Sequence, residues 1–535
     1  MKELMKNSIG NNFYCKLFFV LIPFLNEIPV LTPYINPTMK IGLVIGAVYI
    51  LYDLFHDRNI LKTPCIVPAV ALILSVAIGS LIHHNSPYFR MNLIELAYTI
   101  VSLMVLFTAV PNGKEYKELS IINYLSVIGI TAASAVSLYF LLKGVNFTCS
   151  FNGQEYSLGV YNGRLVGVFR NSIYPTAAIG VFCALIQIFI NNAGHSKHRY
   201  WLNALLITSI IINTEVYVLQ YSSTIYVSLA GAAFVFVFFV AHHMISRYMK
   251  RPRTLLSSVI SFGLGGISVG ASFAAFTQIR NMNMRITKMI TERRAAANAT
   301  APTAPPPTTP PTEPPTEPPT TMPDIIDGII DPLATEPEFV EQITEPPFEH
   351  PVIVEQTKPS PLIFEERVVD ERYGLLTGRP YMWKTGIKSA MEQPLFGYGP
   401  YTFSNAIHPF EGSTEQISHF HNIFVHTLVS GGIIGLLAFS LLALFCVCRL
   451  VKALFTQIDR KDYLPFAAIC ALLVFIFILN MADTTILFMT KHSGFIFFIY
   501  LGYAMTLVGA KKPFKLDLPA LLLDKLFSKN KKAGD

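Results

Sequence analysis

His419 and His421 stand two residues apart in the run ISHFHNIFVHTLVSGGIIGLLAF, where a polar span gives way to an apolar stretch. Shortly before them, Arg379 opens the segment GRPYMWKTGIKSAMEQPLFGYGPYTF. Imidazole accepts a proton near neutral pH without special tuning. Arginine offers a planar fork of N–H donors that matches paired phosphate oxygens. A proton acceptor beside a clamp for negative charge suits transfer of a sugar from a lipid-linked diphosphate to a hydroxyl. Further arginines come from two other places: Arg164 and Arg170 in RLVGVFRNSIYPTAA, and Arg372 in ERYGLLTGR. Either histidine, His419 or His421, fits the role of base.

The residues around Arg379 read as a short helix. Pro380 suits a first helical turn and Pro394 ends the segment. Trp383, Ile387, Ala390 and Met391 fall at i, i+4, i+7 and i+8, giving one apolar face, while Lys384 and Lys388 share another. Arg379 sits at the start, where exposed amide groups already favour an anion. The GYGPYTF turn then presents Tyr398, Tyr401 and Phe403, whose rings suit stacking on sugar faces and equally suit packing of the loop itself. There is no D-x-D pattern and no carboxylate cluster with metal-ligand spacing, so the expectation is a metal-free site with no cofactor.

These residues need a scaffold, and composition says which kind. The 535 residues are 52% hydrophobic and 14% charged, with a mean hydropathy of +0.46. Apolar runs of about 20 residues recur, which predicts an all-α, polytopic membrane protein with about 12 transmembrane helices and a large extracytoplasmic loop. The expected spans are about 14–32, 39–55, 64–83, 91–110, 119–142, 173–191, 201–220, 222–242, 254–276, 421–449, 463–482 and 491–509. The net charge of +7 lies mainly between these runs. It therefore acts as a topology signal and not as a nucleic-acid surface. The basic stretches HHMISRYMKRPRT, RLVKALFTQIDRKD and the tail from KKPFKLD to KNKK share one side if both termini are cytoplasmic. The first apolar run lacks a small-residue cleavage site and is read as a retained helix. Most cysteines lie inside apolar runs, so no disulfide framework is expected.

The chain then divides as follows. Residues 1–276 form a membrane domain of nine helices, and 277–294 extend the ninth outward. Residues 295–361 are dominated by Pro, Thr and Glu and are expected to lack a core, with polyproline II character. Residues 362–420 form an extracytoplasmic catalytic loop, 421–510 the last three helices, and 511–535 a basic cytoplasmic tail. Glu27, Glu95, Glu215 and Asp483 fall near the outer ends of their helices, where ionisable groups usually line a cavity.

Several motifs come in a telling order: a GR pair, then a Trp, then PLFGYGP-x-TF, then H-N at a helix head, then G-x-x-G-L-L-x-F. The residues concerned are Arg379, Trp383, Pro394, Leu395, Phe396, Gly397, Gly399, Phe403, His421, Asn422, Gly432, Gly435, Leu436 and Phe439. This pattern resembles the bacterial O-antigen ligase/polymerase superfamily, and Arg164, Gly167, Phe169 and Asn171 resemble a second feature of it. The resemblance implies metal-independent, inverting transfer of a glycan from an undecaprenyl-diphosphate carrier to a polysaccharide or glycolipid acceptor, at the outer side of a bacterial cytoplasmic membrane. On that reading His421 or His419 is the base, and Arg379 and Arg164 hold the diphosphate, with Arg170 or Arg372 in support. Tyr398, Tyr401, Trp383 and Asn422 contact the sugars. The partners implied are the lipid-linked donor, the acceptor and membrane lipids, with no nucleic acid. Many relatives begin the helix after the seventh with Ser-Arg, whereas this chain has Ser222, Ser223 and Thr224. The competing readings are a transporter or flippase of similar helix number, and an assembly partner without activity.

Overall fold

The computed structural model describes residues 12–108, 113–144, 146–151, 154–161, 164–169, 173–194, 199–220, 222–249, 254–300, 352–355, 379–403, 419–488 and 491–509. Most of the Pro/Thr/Glu insertion, most of the segment before Arg379, residues 404–418 and the basic tail lie outside these, as do Arg170 and Arg372.

Each expected apolar run corresponds to a helix. They are α1 (Phe13–Asn26), α2 (Thr32–Phe55), α3 (Ile66–Ile82), α4 (Phe89–Val101, continued by a wider π-helical turn, Ser102–Leu106), α5 (Glu115–Lys143), α6 (Ile173–Ala193), α7 (Arg199–Leu219), α8 (Ser223–Tyr248) and α9 (Thr254–Thr300). After the short α10 (Arg379–Ala390) come α11 (Ile423–Thr456), α12 (Tyr463–Leu479) and α13 (His492–Gly509). Among the described residues nine helices are long and apolar enough to cross a membrane, while α1, α3 and α12 are shorter apolar helices. Helix α13 lies at the centre, with 89% of its span buried, and α9 at the rim, with 11% of its apolar span buried. An apolar helix with so little protein around it suits lipid, which solvates leucine as well as a neighbouring helix does.

Two boundaries differ from the sequence reading for local reasons. The first run breaks at Asn26, and α2 already starts at Thr32 with a proline in its first turn. Helix α12 stops at Leu479, because the Asn480 side-chain carbonyl accepts from the backbone N–H groups of Thr485 (2.6 Å) and Ile486 (3.0 Å). Those bonds fold the chain back and place Asp483 in a loop.

Polar side chains join the helices at many points among the described residues. Asn213 of α7 accepts from Ser134 of α5 at 2.7 Å, and Asn123 of α5 donates to Gln187 of α6 at 3.1 Å. At the far end of the bundle, between α11 and α12, Arg460 grips Asp462 with two hydrogen bonds of 2.7 Å.

One region departs from the all-helical pattern. Strands β1 (Phe147–Phe151), β2 (Gln154–Tyr161), β3 (Arg164–Gly167) and β4 (Val352–Glu355) form an antiparallel sheet in the order β3-β2-β1-β4. The sequence carries its signal, two Asn-Gly pairs at 152–153 and 162–163 between runs of strand-forming residues, a strong hairpin cue. Strand β4 falls inside the stretch expected to lack structure. Proline has thinned out there, and Val-Ile-Val is a β-branched run suited to pairing.

Candidate active site

The segment after α10 docks into a break in α11. Gly432 has φ 64° and ψ −167° inside that helix, a backbone region open essentially to glycine alone. The break frees carbonyls that the docked chain uses. Tyr398 N–H donates to Val429 C=O and Gly399 N–H to Ser430 C=O, each at 2.9 Å, and Ile433 N–H returns a bond to Pro394 C=O at 2.8 Å. A Cβ at Gly432 would strike the Leu395 carbonyl, and one at Gly397 (φ 66°) would strike the Val429 carbonyl. Asn92 of α4 holds the far side of the loop, its Oδ1 accepting from Tyr401 N–H and its Nδ2 donating to Thr402 Oγ1, both at 2.6 Å.

Helix α11 begins at Ile423, and Asn422 caps it, Oδ1 accepting from the N–H groups of Phe424 (3.0 Å) and Val425 (3.2 Å). The residue just before the cap, His421, has φ 50°, a left-handed conformation uncommon for a side chain other than glycine. Ile423 N–H donates to Asn480 C=O at 2.9 Å. The turn carrying the histidines is thus stitched to the turn carrying Asp483.

That stitching brings His419, His421 and Asp483 together. Asp483 Oδ1 lies 3.5 Å from His421 Nδ1 and 3.6 Å from His419 Nε2, and the side chains are 19%, 29% and 18% exposed, in that order. The imidazole centroids are 3.9 Å apart. The site is therefore enclosed yet open to a substrate. Burial pushes His419 down to about 3, with help from the charges of His421, Lys491 and Arg379 and against the pull of Asp483. Burial opposes ionisation of Asp483, but the neighbouring His421 imidazole and the charges of Lys491 and His419 hold its carboxyl well below the usual range. So a carboxylate faces two imidazoles, with cationic Arg379 and Lys491 nearby.

Arg379 is the first residue of α10 and is half-buried. Arg164 opens β3, opposite Tyr161 of β2, with its side chain outside the described residues. Three of the four expected sugar contacts also make hydrogen bonds within the protein. Trp383 Nε1–H donates to Phe420 C=O at 2.9 Å. Tyr398 is buried, stacks on His83 and donates to Glu392 Oε2 at 3.0 Å. Asn422 is the helix cap, and its amide donates to Met481 C=O at 3.2 Å. Tyr401 remains half-buried and uses its backbone N–H on Asn92.

Sequence reasoning missed Asn92, Asn480 and Lys491, and it read Asp483 as one of four acidic groups facing the arginines or the acceptor sugars, not the histidines. Lys491, just ahead of α13, offered the clearest cue, a cation in a short link between two apolar runs. Linear spacing also gave no hint of a metal-ligand set, yet His419, His421 and Asp483 bring three ligand atoms within 4.8 Å of one another. Below the loop, Glu95 lines a cavity of about 10 Å³ with Tyr98, Thr99, Ser102 and Phe488, room for a single water.

Against known proteins, residues 204–440 match the family described as "O-Antigen ligase". The exopolysaccharide production protein ExoQ of Rhizobium meliloti (strain 1021) is 37% identical over 94 residues, 16% of this chain and 20% of that relative. The match thus spans about a fifth of the relative's length. No solved structure matches the chain. The matched family segment carries Arg379, the break at Gly432 of α11 with its docked loop, and both histidines, whereas Asp483 and Lys491 lie beyond it. Residues 204–440, a little under half of the chain, are therefore similar to the O-antigen ligase family.

Proposed function

We propose that this chain is a membrane glycosyltransferase of polysaccharide assembly, moving a glycan from an undecaprenyl-diphosphate carrier to a sugar hydroxyl at the outer side of the cytoplasmic membrane. The observation that carries the reading is the contact of His421 Nδ1 with Asp483, 3.5 Å, inside a cationic rim and next to the family segment. Asp483 favours the tautomer with the proton on Nδ1, which leaves the Nε2 lone pair free as base. Catalytic hydrogen bonds are often long before substrate binds.

In the step itself, the acceptor oxygen attacks the anomeric carbon from the face opposite the diphosphate. Its proton passes to His421 Nε2 as the new C–O bond forms. The bond from the anomeric carbon to the phosphate oxygen breaks, and the electron pair leaves with the diphosphate. Arg379 neutralises that charge, with Arg164, Arg170 and Arg372 as further members of the clamp. Attack from the opposite face inverts the anomeric centre. No metal is needed, because arginines supply the positive charge. His421 is favoured over His419, whose low basicity unsuits it to take a proton near neutral pH.

The test is made in cells carrying His421→Ala, His419→Ala or Arg379→Ala at matched membrane levels, reading polymer and carrier-linked glycan. Loss of polymer with carrier-linked units accumulating on the outer face in His421→Ala and Arg379→Ala supports transfer, and the length of the trapped glycans separates a polymerase from a ligase. Carrier trapped on the inner face would point to a flippase. Normal polymer in all three variants would point to an assembly partner.

A further inference from the structure

We propose that His419 Nε2, His421 Nδ1 and Asp483 Oδ1 form a binding site for one divalent transition metal of the zinc class, whose occupancy switches transfer off. The inhibitory part rests on the reading of His421 as base; the binding part does not. Two of the three edges between the ligand atoms already match a coordination shell, and the three atoms lie within 4.8 Å of one another. Zinc–nitrogen and zinc–oxygen bonds of about 2.0–2.2 Å in a tetrahedron separate neighbouring ligand atoms by roughly 3.4 Å. The carboxylate oxygen lies 3.5 and 3.6 Å from the two imidazole nitrogens, so a metal among them requires shifts of only tenths of an ångström on those two edges.

The ligand atoms are also held in advance. His421 is fixed in a left-handed backbone conformation, and Ile423 N–H and the Asn422 amide tie its turn to Asn480 and Met481, beside Asp483. Two imidazoles and one carboxylate select zinc, cobalt or nickel over magnesium or calcium, which prefer oxygen alone. Three protein ligands leave a fourth position for water or a substrate oxygen. Arg379 and Lys491 oppose the incoming cation and set its affinity below that of a structural zinc site.

A metal on Nδ1 moves the remaining imidazole proton of His421 to Nε2. The lone pair that would receive the acceptor proton is then gone. The metal also takes the Asp483 oxygen that orients the ring.

Purified full-length protein in detergent is titrated with Co²⁺, read by its visible absorption, and with Zn²⁺, read by calorimetry. One Zn²⁺ per chain is expected, with the affinity falling at least about tenfold in Asp483→Asn and in His419→Gln, in line with loss of one ligand. Zn²⁺ should abolish transfer by the wild type, and excess chelator should restore it. Binding that is absent, or unchanged in both variants, overturns the site. Transfer that survives saturating Zn²⁺ overturns the switch. Transfer that is lost to chelator and regained with Zn²⁺ overturns both the switch and the metal-free base. Because the titrations need no substrate, a failure of the transfer reading leaves the binding result to stand on its own.

Discussion

The side-chain amide of Asn422 donates to the carbonyl of Met481 at 3.2 Å, two residues from Asp483 and one residue from His421. Loops that arrive from different helices thus share a clasp at the point where their functional side chains meet. The clasp explains how an imidazole and a carboxylate separated by a whole helix pair keep one geometry.

The first prediction concerns that geometry. His421→Ala is expected to lower kcat by about two to four orders of magnitude, the usual worth of a general base. Asp483→Asn keeps the shape but loses the anion, so a smaller fall in kcat with little change in KM is expected. Kinetics with a soluble acceptor check this, and a drop confined to KM would contradict it.

A second prediction separates a sugar platform from a strut. Trp383→Phe retains a ring but loses the bond from Nε1–H to Phe420 C=O at 2.9 Å. The variant is expected to lose about 1 kcal/mol of stability with acceptor KM unchanged. A rise in KM without a fall in Tm would restore the stacking role.

Gly432→Ala tests the broken helix. It would force a Cβ into backbone strain worth about 1–3 kcal/mol and into the Leu395 carbonyl. Lower Tm and faster proteolysis between residues 391 and 403 are the expected readouts, with transfer lost even though no functional side chain has changed.

The Arg460–Asp462 pair gives a pH dependence. Burial opposes ionisation of Asp462, but Arg460 and Tyr116 hold its carboxyl below the ordinary value. Its contribution to stability is therefore full above about pH 3.9, the unfolded value, and fades as pH falls through the lower folded value. Thermal melts from neutral to acid pH should show that loss. Asp462→Asn should melt lower at neutral pH, by the equivalent of roughly 3–5 kcal/mol for a broken buried pair, and should lack this part of the acid limb.

Much of the scaffold was legible in the sequence because membrane spans announce themselves through length and hydropathy, which need no knowledge of neighbours. His419, His421 and Arg379 were legible for a related reason, since each stands where a polar segment meets an apolar one. Asp483 was legible only as one of four cavity-lining acidic groups, because its place beside the histidines depends on Asn480 turning the chain back and no periodicity encodes that turn. For Tyr398 the sequence left stacking and packing both open, and it put Trp383 on an apolar face, because composition does not tell which polar atom finds a partner. The sheet escaped notice for want of reading two Asn-Gly pairs as hairpin cues.

Strand β4 has a consequence for how this protein can vary. The long Pro/Thr/Glu stretch leaves from the end of α9 and comes back to a strand clipped antiparallel to β1, with Val352 opposite Ser150 and Glu355 opposite Phe147. Strand β4 thus anchors the chain on β1 before it continues toward Arg379, so residues between α9 and β4 can be added or removed while the pairing of β4 with β1 keeps its register.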